Sequence, residues 1–207
     1  AVIDNFKDFN VEMVFKKGVL YWNNGELRDF EAPKIEEYLD KRAHDTFHVS
    51  TLTPDDFRDT RQRGVLGMVP GEIITTDNGY ADHVDLEKDI LKIAVVERHK
   101  GTHHIGLGYI QGYGLKSGAV ATSISHDSHN IIVVGTNSAD MAFAANYIVE
   151  HHGGIVVVEN GVVKGSVVLE IAGIMSDCPL TEMNEKLEGA KKAAFQLGVK
   201  EGIDPFM

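Results

Sequence analysis

The chain has 207 residues, which is enough for one generous domain or two small ones with a real hydrophobic core. Hydrophobic residues make up 43% and charged residues 25%, a composition typical of folded globular proteins rather than disordered ones. Twenty Lys and Arg against 31 Asp and Glu give a net charge of −11. A nucleic acid is therefore not expected as the main partner, because sequence-independent binding needs clustered cations.

Cysteine content and hydropathy indicate the compartment. The single cysteine, Cys178, cannot form an internal disulfide, which suits a reducing environment. No apolar run approaches the roughly 20 residues that a membrane helix needs, so no membrane association is expected. The first five residues lack the basic and apolar regions of a signal peptide. These features predict a cytoplasmic protein, and the missing initiator Met also fits a chain that begins partway through a longer one.

The first 58 residues are predicted to form a small β segment. Its expected strands and turns are Val11–Phe15, a turn at Lys16–Gly18, Val19–Trp22 and a turn at Asn23–Gly25. Residues 28–46 are charged and contain Pro33, which favours a surface excursion or a short helix. Thr53 followed by Pro54 is typical of a helix start with proline in the first turn.

Residues 59–207 are predicted to form a second, larger domain. Its expected strands are Arg63–Val69, Glu72–Thr76, Ile90–Arg98, Ala119–Ser125, Ile131–Val134, Ile155–Glu159 and Val162–Ile171, with a glycine-rich stretch at Gly101–Gly118. Strands outnumber helices, and neighbouring strands are often linked as hairpins. We therefore predict an α+β fold, a layered and largely antiparallel sheet with packed helices, preceded by the small β segment.

Two helices follow from apolar residues at helical spacing. Ser138 is expected to cap the first and Thr181 the second. The expected apolar stripes are Met141, Ala144, Ala145 and Ile148 in the first helix, and Met183, Leu187, Ala190, Ala194 and Leu197 in the second.

Several catalytic motifs fail on spacing. The glycine-rich stretch has Gln111 where a dinucleotide-binding GxGxxG motif requires glycine, and no helix pattern follows it. Leu115 stands before Lys116 where a phosphate loop has glycine. Ser117 and Ser123 lack the GxSxG frame, and the paired zinc-deaminase motifs are absent.

The remaining chemical signal is a cluster of histidines at strand ends. His99, His103 and His104 form one group, and the HDSHN stretch, residues 126–130, contains the other. Two imidazoles, a carboxylate and a hydroxyl within four residues can ligate a metal, shuttle a proton or hydrogen-bond a polar heterocycle. The alternative is structural: Asp127 and Asn130 bond turn amides while the histidines pack or face water. For Glu97 and Arg98, likewise, a structural ion pair is expected in preference to a catalytic role.

The chain resembles bacterial adenine deaminases of the amidohydrolase superfamily over essentially its whole length. The resemblance is carried by Glu97–His99, Gly106–Leu115, Ser125–Asn137, Gly153–Val158, Ile171–Asp177 and Asp204–Met207. It implies hydrolysis of adenine to hypoxanthine and ammonia, with a divalent metal (Mn or Fe) whose ligands lie in a barrel that precedes this region in the family. The chain then looks like a C-terminal fragment that is inactive alone, and its first 58 residues resemble the returning part of the family's small β domain.

The resemblance also suggests roles for the HDSHN loop. His126, Asp127 and His129 are candidate catalytic support residues, and Ser128 and Asn130 are candidate substrate-binding residues, with no metal ligand in the chain. Lys100, His103 and His104 depart from the family pattern and receive no role. Expected partners are adenine, the missing barrel and further copies of the chain.

Three hypotheses stay open at this point. The chain is part of a metal-dependent deaminase, or it is a noncatalytic module that braces the barrel or completes an oligomer. The third is an independent metal site built from His99, His126, Asp127 and His129, which requires two loops to converge within coordination distance.

Overall fold

The computed structural model describes residues 1–29, 31 and 33–206. The chain divides into two compact units, Ala1–Glu37 and Tyr38–Met207. Residues 38–58, predicted to belong with the first segment, are therefore part of the larger unit. The resemblance of residues 1–58 to a returning β domain stays a prediction.

The smaller unit is an antiparallel sheet in the order β1-β2-β3-β4. Its strands are β1 (Val2–Ile3), β2 (Val11–Lys16), β3 (Val19–Asn23) and β4 (Glu26–Leu27). Lys17–Gly18 and Asn24–Gly25 have positive φ at both turn residues, which matches the twist that tight hairpins require. The two strands predicted here and the turns between them are confirmed.

Two short elements precede the large sheet. Helix α1 spans Glu37–His44, within the segment predicted to hold a surface excursion or short helix, of which Phe30 and Ala32 lie outside the described residues. A single 3₁₀ turn covers Pro54–Phe57. Thr53 and Asp56 cap that turn, and its Phe57 is fully buried.

The larger unit is built on an eight-stranded sheet in the order β12-β11-β9-β10-β7-β8-β5-β6. Its strands are β5 (Arg63–Met68), β6 (Thr75–Ala81), β7 (Ile90–Val96), β8 (Ile105–Gln111), β9 (Ala119–Thr122), β10 (Ile131–Gly135), β11 (Gly154–Glu159) and β12 (Val162–Val168). Neighbouring strands pair antiparallel except β5 and β8, which are parallel. With its two longer helices, α2 (Ser138–Glu150) and α3 (Leu180–Gln196), the structure confirms the predicted α+β class.

Each face of this sheet buries its own core. Successive side chains of a strand point to opposite faces, and β11 divides accordingly. Ile155 and Val157 pack in the cluster that contains Ala190 of α3, whereas Val156 and Val158 pack in the cluster that contains Met141 of α2. The sheet is thus the middle layer of three, and its loops between strands are left free to carry a site.

Several predicted boundaries differ from the structure. The second strand of the large domain begins at Thr75 rather than Glu72. The predicted glycine-rich stretch contains strand β8, whose glycines hide the usual apolar alternation. The strands predicted to end at Ser125 and Ile171 end at Thr122 and Val168.

The helix caps also lie one or two residues from their predicted positions. Asn137 rather than Ser138 caps α2, because its side chain accepts a hydrogen bond from the Asp140 N–H at 2.8 Å. The N-cap of α3 is Pro179 rather than Thr181.

Candidate functional site

The HDSHN stretch forms the loop between β9 and β10. Strand β10 lies between β9 and β7, and Ile131 at its start pairs with Val96 at the end of β7. The loop therefore lies beside residues 97–104, which connect β7 to β8. The sheet brings together the two histidine groups that the sequence places far apart.

The loop backbone is in an unusual conformation. Ser125, Asp127 and His129 have φ values of 27°, 70° and 49°, a left-handed region in which residues other than glycine are strained. The His129 N–H donates to the Ser125 carbonyl at 2.8 Å, and the hydroxyls of Ser125 and Ser128 lie 2.9 Å apart. Asp and His are among the non-glycine residues that adopt this region most often, and these hydrogen bonds hold the turn in it.

Two histidine rings hold this loop through hydrogen bonds to its backbone. The Nδ1–H of His129 donates to the Ile124 carbonyl at 2.7 Å, and the Nε2–H of His99 donates to the Ser128 carbonyl at 2.9 Å. The Asn130 side-chain oxygen accepts from the Arg98 main-chain N–H at 3.4 Å. These side chains therefore fix the shape of the loop. Asn130 bonds to a main-chain N–H, as the structural alternative expects, whereas the rings of His99 and His129 bond to carbonyls rather than merely packing or facing water.

His126 and Asp127 form the outward-facing tip of the loop. Their side chains are 95% and 91% exposed, and the His126 Nδ1 lies 3.0 Å from Asp127 Oδ1. This contact is a close pairing of two exposed side chains, and the His126 ring leaves its Nε2 open to solvent.

Arg98 is the residue at this site whose role the sequence did not reveal. It is 2% exposed, and its guanidinium donates to the main-chain carbonyls of Thr46 and Ala172, each at 2.8 Å, and to the carbonyl of His129. The ion pair predicted with Glu97 is wrong, because both side chains bond to other groups. The main-chain acceptors of Arg98 are carbonyls from segments distant in sequence, and no sequence motif identifies them.

Glu97 organises the neighbouring loop. Its carboxylate accepts from the N–H groups of His99 and Lys100 at 2.6 and 2.9 Å and from the Thr102 hydroxyl at 2.8 Å. Burial opposes ionisation, but the hydrogen bonds from Thr102, His99 and Lys100 outweigh it and lower the pKa of Glu97 to about 2. The carboxylate therefore stays ionised and keeps its loop closed.

The described residues do not fit a metal centre. His99 and His129 direct one ring nitrogen each at a backbone carbonyl, and His126 and Asp127 point to solvent. Across residues 1–29, 31 and 33–206, no group of three or more His, Cys, Asp or Glu side chains is arranged to hold a metal ion. The metal implied by the resemblance therefore finds no ligand set in this part of the chain.

An open stretch of sheet borders the loop. Val95 of β7 pairs with Ile132 of β10 on one side and with Gly106 of β8 on the other. The Val95 side chain lies on the same face of the sheet that helix α3 covers farther along. A Cβ added at Gly106 would meet only the Val95 carbonyl, at 3.9 Å, and one added at Gly64 would meet nothing within 4 Å. Tyr80, opposite Gly64, is 76% exposed. Within the described residues, this part of the face is uncovered.

Comparison with known proteins identifies relatives over the whole chain. Residues 71–207 match the family model described as the adenine deaminase C-terminal domain. The chain is 39% identical to the adenine deaminase of Petrotoga mobilis and 37% identical to adenine deaminase 2 of Carboxydothermus hydrogenoformans, in each case over 100% of this chain. It is 44% identical to adenine deaminase 1 of Rhizobium etli over 96% of its length.

The match covers only part of these relatives. The chain spans 36–37% of their lengths. None of the described helices combines the length and apolar character required to cross a membrane. The family model and the relatives confirm the resemblance seen in the sequence: the chain belongs to the adenine deaminase C-terminal domain family.

Proposed function

We propose that this chain is the C-terminal part of a longer, cytoplasmic adenine deaminase, called here the complete enzyme. It converts adenine and water to hypoxanthine and ammonia. Support comes from the relatives named adenine deaminase, of which the chain spans little more than a third. A divalent metal, Mn or Fe, is held in this proposal by residues outside the chain, since the described residues offer no ligand set for it.

We propose that the His126–Asp127 tip is what this domain contributes to the reaction. His126 presents Nε2 to the substrate and moves a proton between water and the purine, and Asp127 Oδ1 lies beside its Nδ1 at 3.0 Å. His129 keeps the loop in position through Ile124. Contacts of Ser128 and Asn130 with adenine stay a prediction. In the structure the Ser128 side chain bonds within the loop, and the Asn130 side chain bonds to the Arg98 N–H.

The observation that carries this role is the exposure of a neighbouring histidine and carboxylate at the tip of a loop that hydrogen bonds hold on both sides. The uncovered sheet next to the loop, at Val95 and Gly106, continues to Tyr80 on the edge strand β6 and supports a position next to the rest of the complete enzyme.

The test is adenine turnover by the complete enzyme carrying His126→Gln. We expect kcat/KM to fall by about 100-fold or more, because glutamine cannot transfer a proton. Asp127→Asn is expected to cause a smaller loss, because His126, the group that moves the proton, is unchanged. Turnover is followed by ammonia release.

A matched control is available on the connection between β6 and β7. His83 and Asp82 form another exposed pair of adjacent residues, with 74% and 56% of their side chains exposed. His83→Gln should leave turnover unchanged. If His126→Gln turns over adenine at the wild-type rate, His126 takes no part in the reaction.

A second role is favoured by the rings of His99 and His129, which bond to backbone carbonyls. In this role the domain braces the barrel or completes an oligomer, and the HDSHN loop is purely structural. His129→Ala in the complete enzyme separates the two: a lower unfolding temperature with unchanged turnover would support the structural role, and lower turnover at an unchanged unfolding temperature would support the catalytic role.

A further inference from the structure

Arg98 is a buried cation whose guanidinium contacts no carboxylate among the described residues. Only 2% of the residue is exposed, and its side-chain hydrogen bonds go to the carbonyls of Thr46, His129 and Ala172 and to the Thr46 hydroxyl. The guanidinium also lies 4.2 Å from the centre of the Phe47 ring. A buried charge is costly unless it is fully hydrogen-bonded. The guanidinium offsets this cost by donating, through its planar set of N–H groups, to carbonyls of three separate segments.

Two of the three main-chain carbonyls that Arg98 contacts belong to residues with the same backbone conformation. His129 and Ala172 both have left-handed backbones, with φ of 49° and 57°. Neither is glycine, so each conformation must be held by contacts from outside the residue. Arg98 supplies such a contact to both, and its own N–H donates to the Asn130 side chain at 3.4 Å. One side chain thus anchors the end of the HDSHN loop to segments 46–47 and 172.

Only Ser128 separates the anchored residue His129 from Asp127 of the exposed tip. His129 is bonded to Arg98 through its carbonyl and to Ser125 through its N–H, which closes the turn that carries His126 and Asp127. The ring of His129 also bonds to the Ile124 carbonyl. Loss of the Arg98 contact would leave fewer contacts to hold the left-handed backbone, so the turn would open more often and the tip would be held less firmly.

We infer that Arg98 is a positioning residue that fixes the His126–Asp127 tip for adenine deamination. It does not touch the substrate. This role rests on the proposed function, because the tip matters to the reaction only if the domain serves a deaminase.

The first test measures the loop itself, by hydrogen exchange in the 207-residue chain. Arg98→Met should accelerate exchange of the His129 amide and its neighbours in residues 125–130 by about tenfold or more, while α2 and the central strands keep their protection. Arg98→Lys retains a cation near Phe47 but lacks the planar fork, so it should give a smaller change at the same amides and serves if the methionine variant does not fold.

A control variant removes a comparable anchor elsewhere. The Asn146 side chain donates to the Leu52 carbonyl at 2.8 Å and accepts from the Leu52 N–H at 2.9 Å. Asn146→Ala should leave exchange in residues 125–130 unchanged. Equal acceleration throughout the sheet in Arg98→Met, or full protection of the loop, would overturn the inference.

The second test measures adenine turnover in the complete enzyme. Arg98→Met should lower kcat by about 100-fold, the scale of loss that a displacement of about 1 Å can cause, and Arg98→Lys should recover part of it. Unchanged kcat in both variants would overturn the positioning role. A wild-type complete enzyme without adenine turnover would contradict the proposed function, whereas the exchange measurement would still decide whether Arg98 holds the loop.

Discussion

At the scale of the residue, polar side chains at this site act mainly on backbone groups. Glu97 shows this most clearly, because hydrogen bonds from its own loop lower its pKa from the ordinary 4.5 to about 2. A carboxylate with a lowered folded pKa stabilises the fold above the unfolded pKa, and that stabilisation is lost as pH falls from about 4.5 to about 2. Glu97→Gln should therefore be less stable at neutral pH and lose less stability across this range. Urea unfolding at a series of pH values measures both effects.

The control for Glu97 is Glu201→Gln, since Glu201 is an exposed side chain near the end of the chain. It should follow the wild-type pH dependence. If Glu97→Gln does the same, the carboxylate does not hold the loop.

Residue types predicted the location of this site better than its contacts. The HDSHN stretch was identified from its chemistry, and the structure brings it beside His99. The anchoring role of Arg98 was missed because its partners are carbonyls of Thr46, His129 and Ala172, and every residue has a carbonyl. Only the folded backbone shows which of them converge.

At the scale of the element, helix α3 packs closely on β12 because Gly165 has no side chain. A Cβ at Gly165 would lie 2.9 Å from the Ala190 Cα and 3.2 Å from the Ala193 Cβ. Gly165→Ala should therefore lower the free energy of unfolding by about 1–3 kcal/mol through overpacking. Gly189→Ala, in α3 itself, meets nothing within 4 Å and should raise it by up to about 1 kcal/mol through helix propensity.

Urea unfolding of the two variants compares the same substitution at neighbouring sites. Equal stability changes would show that α3 does not pack on β12 as described. Opposite signs would support the close contact.

Elements with a regular apolar pattern were predictable, and those with glycine in the pattern were not. The β11–β12 hairpin follows from two valine-rich runs around Asn160–Gly161, and both turn residues have the positive φ that such a turn requires. Strand β8 was missed because Gly106 and Gly108 stand on the face where apolar residues would mark it. Pairing with β7 and β5 supplies the order that its own sequence lacks.

At the scale of the whole molecule, the larger unit combines a three-layer scaffold with an exposed chemical tip. The α+β class could be predicted because strand signals outnumber helix signals along the sequence. The division between units at residues 37 and 38 could not, since it depends on which segments contact each other in space. Residues 47–57 illustrate this, because Leu52 and Phe57 are buried in the core beneath α2.

The central claim, that this chain is a dependent part of an adenine deaminase, is tested most directly by one assay. Adenine turnover and metal content are measured for the purified 207-residue chain and for the complete enzyme, both with Mn or Fe added. We expect turnover and bound metal in the complete enzyme and neither in the chain by itself, because the described residues offer no metal-ligand cluster. Turnover with stoichiometric metal in the 207-residue chain, or no turnover in the complete enzyme, would contradict the account.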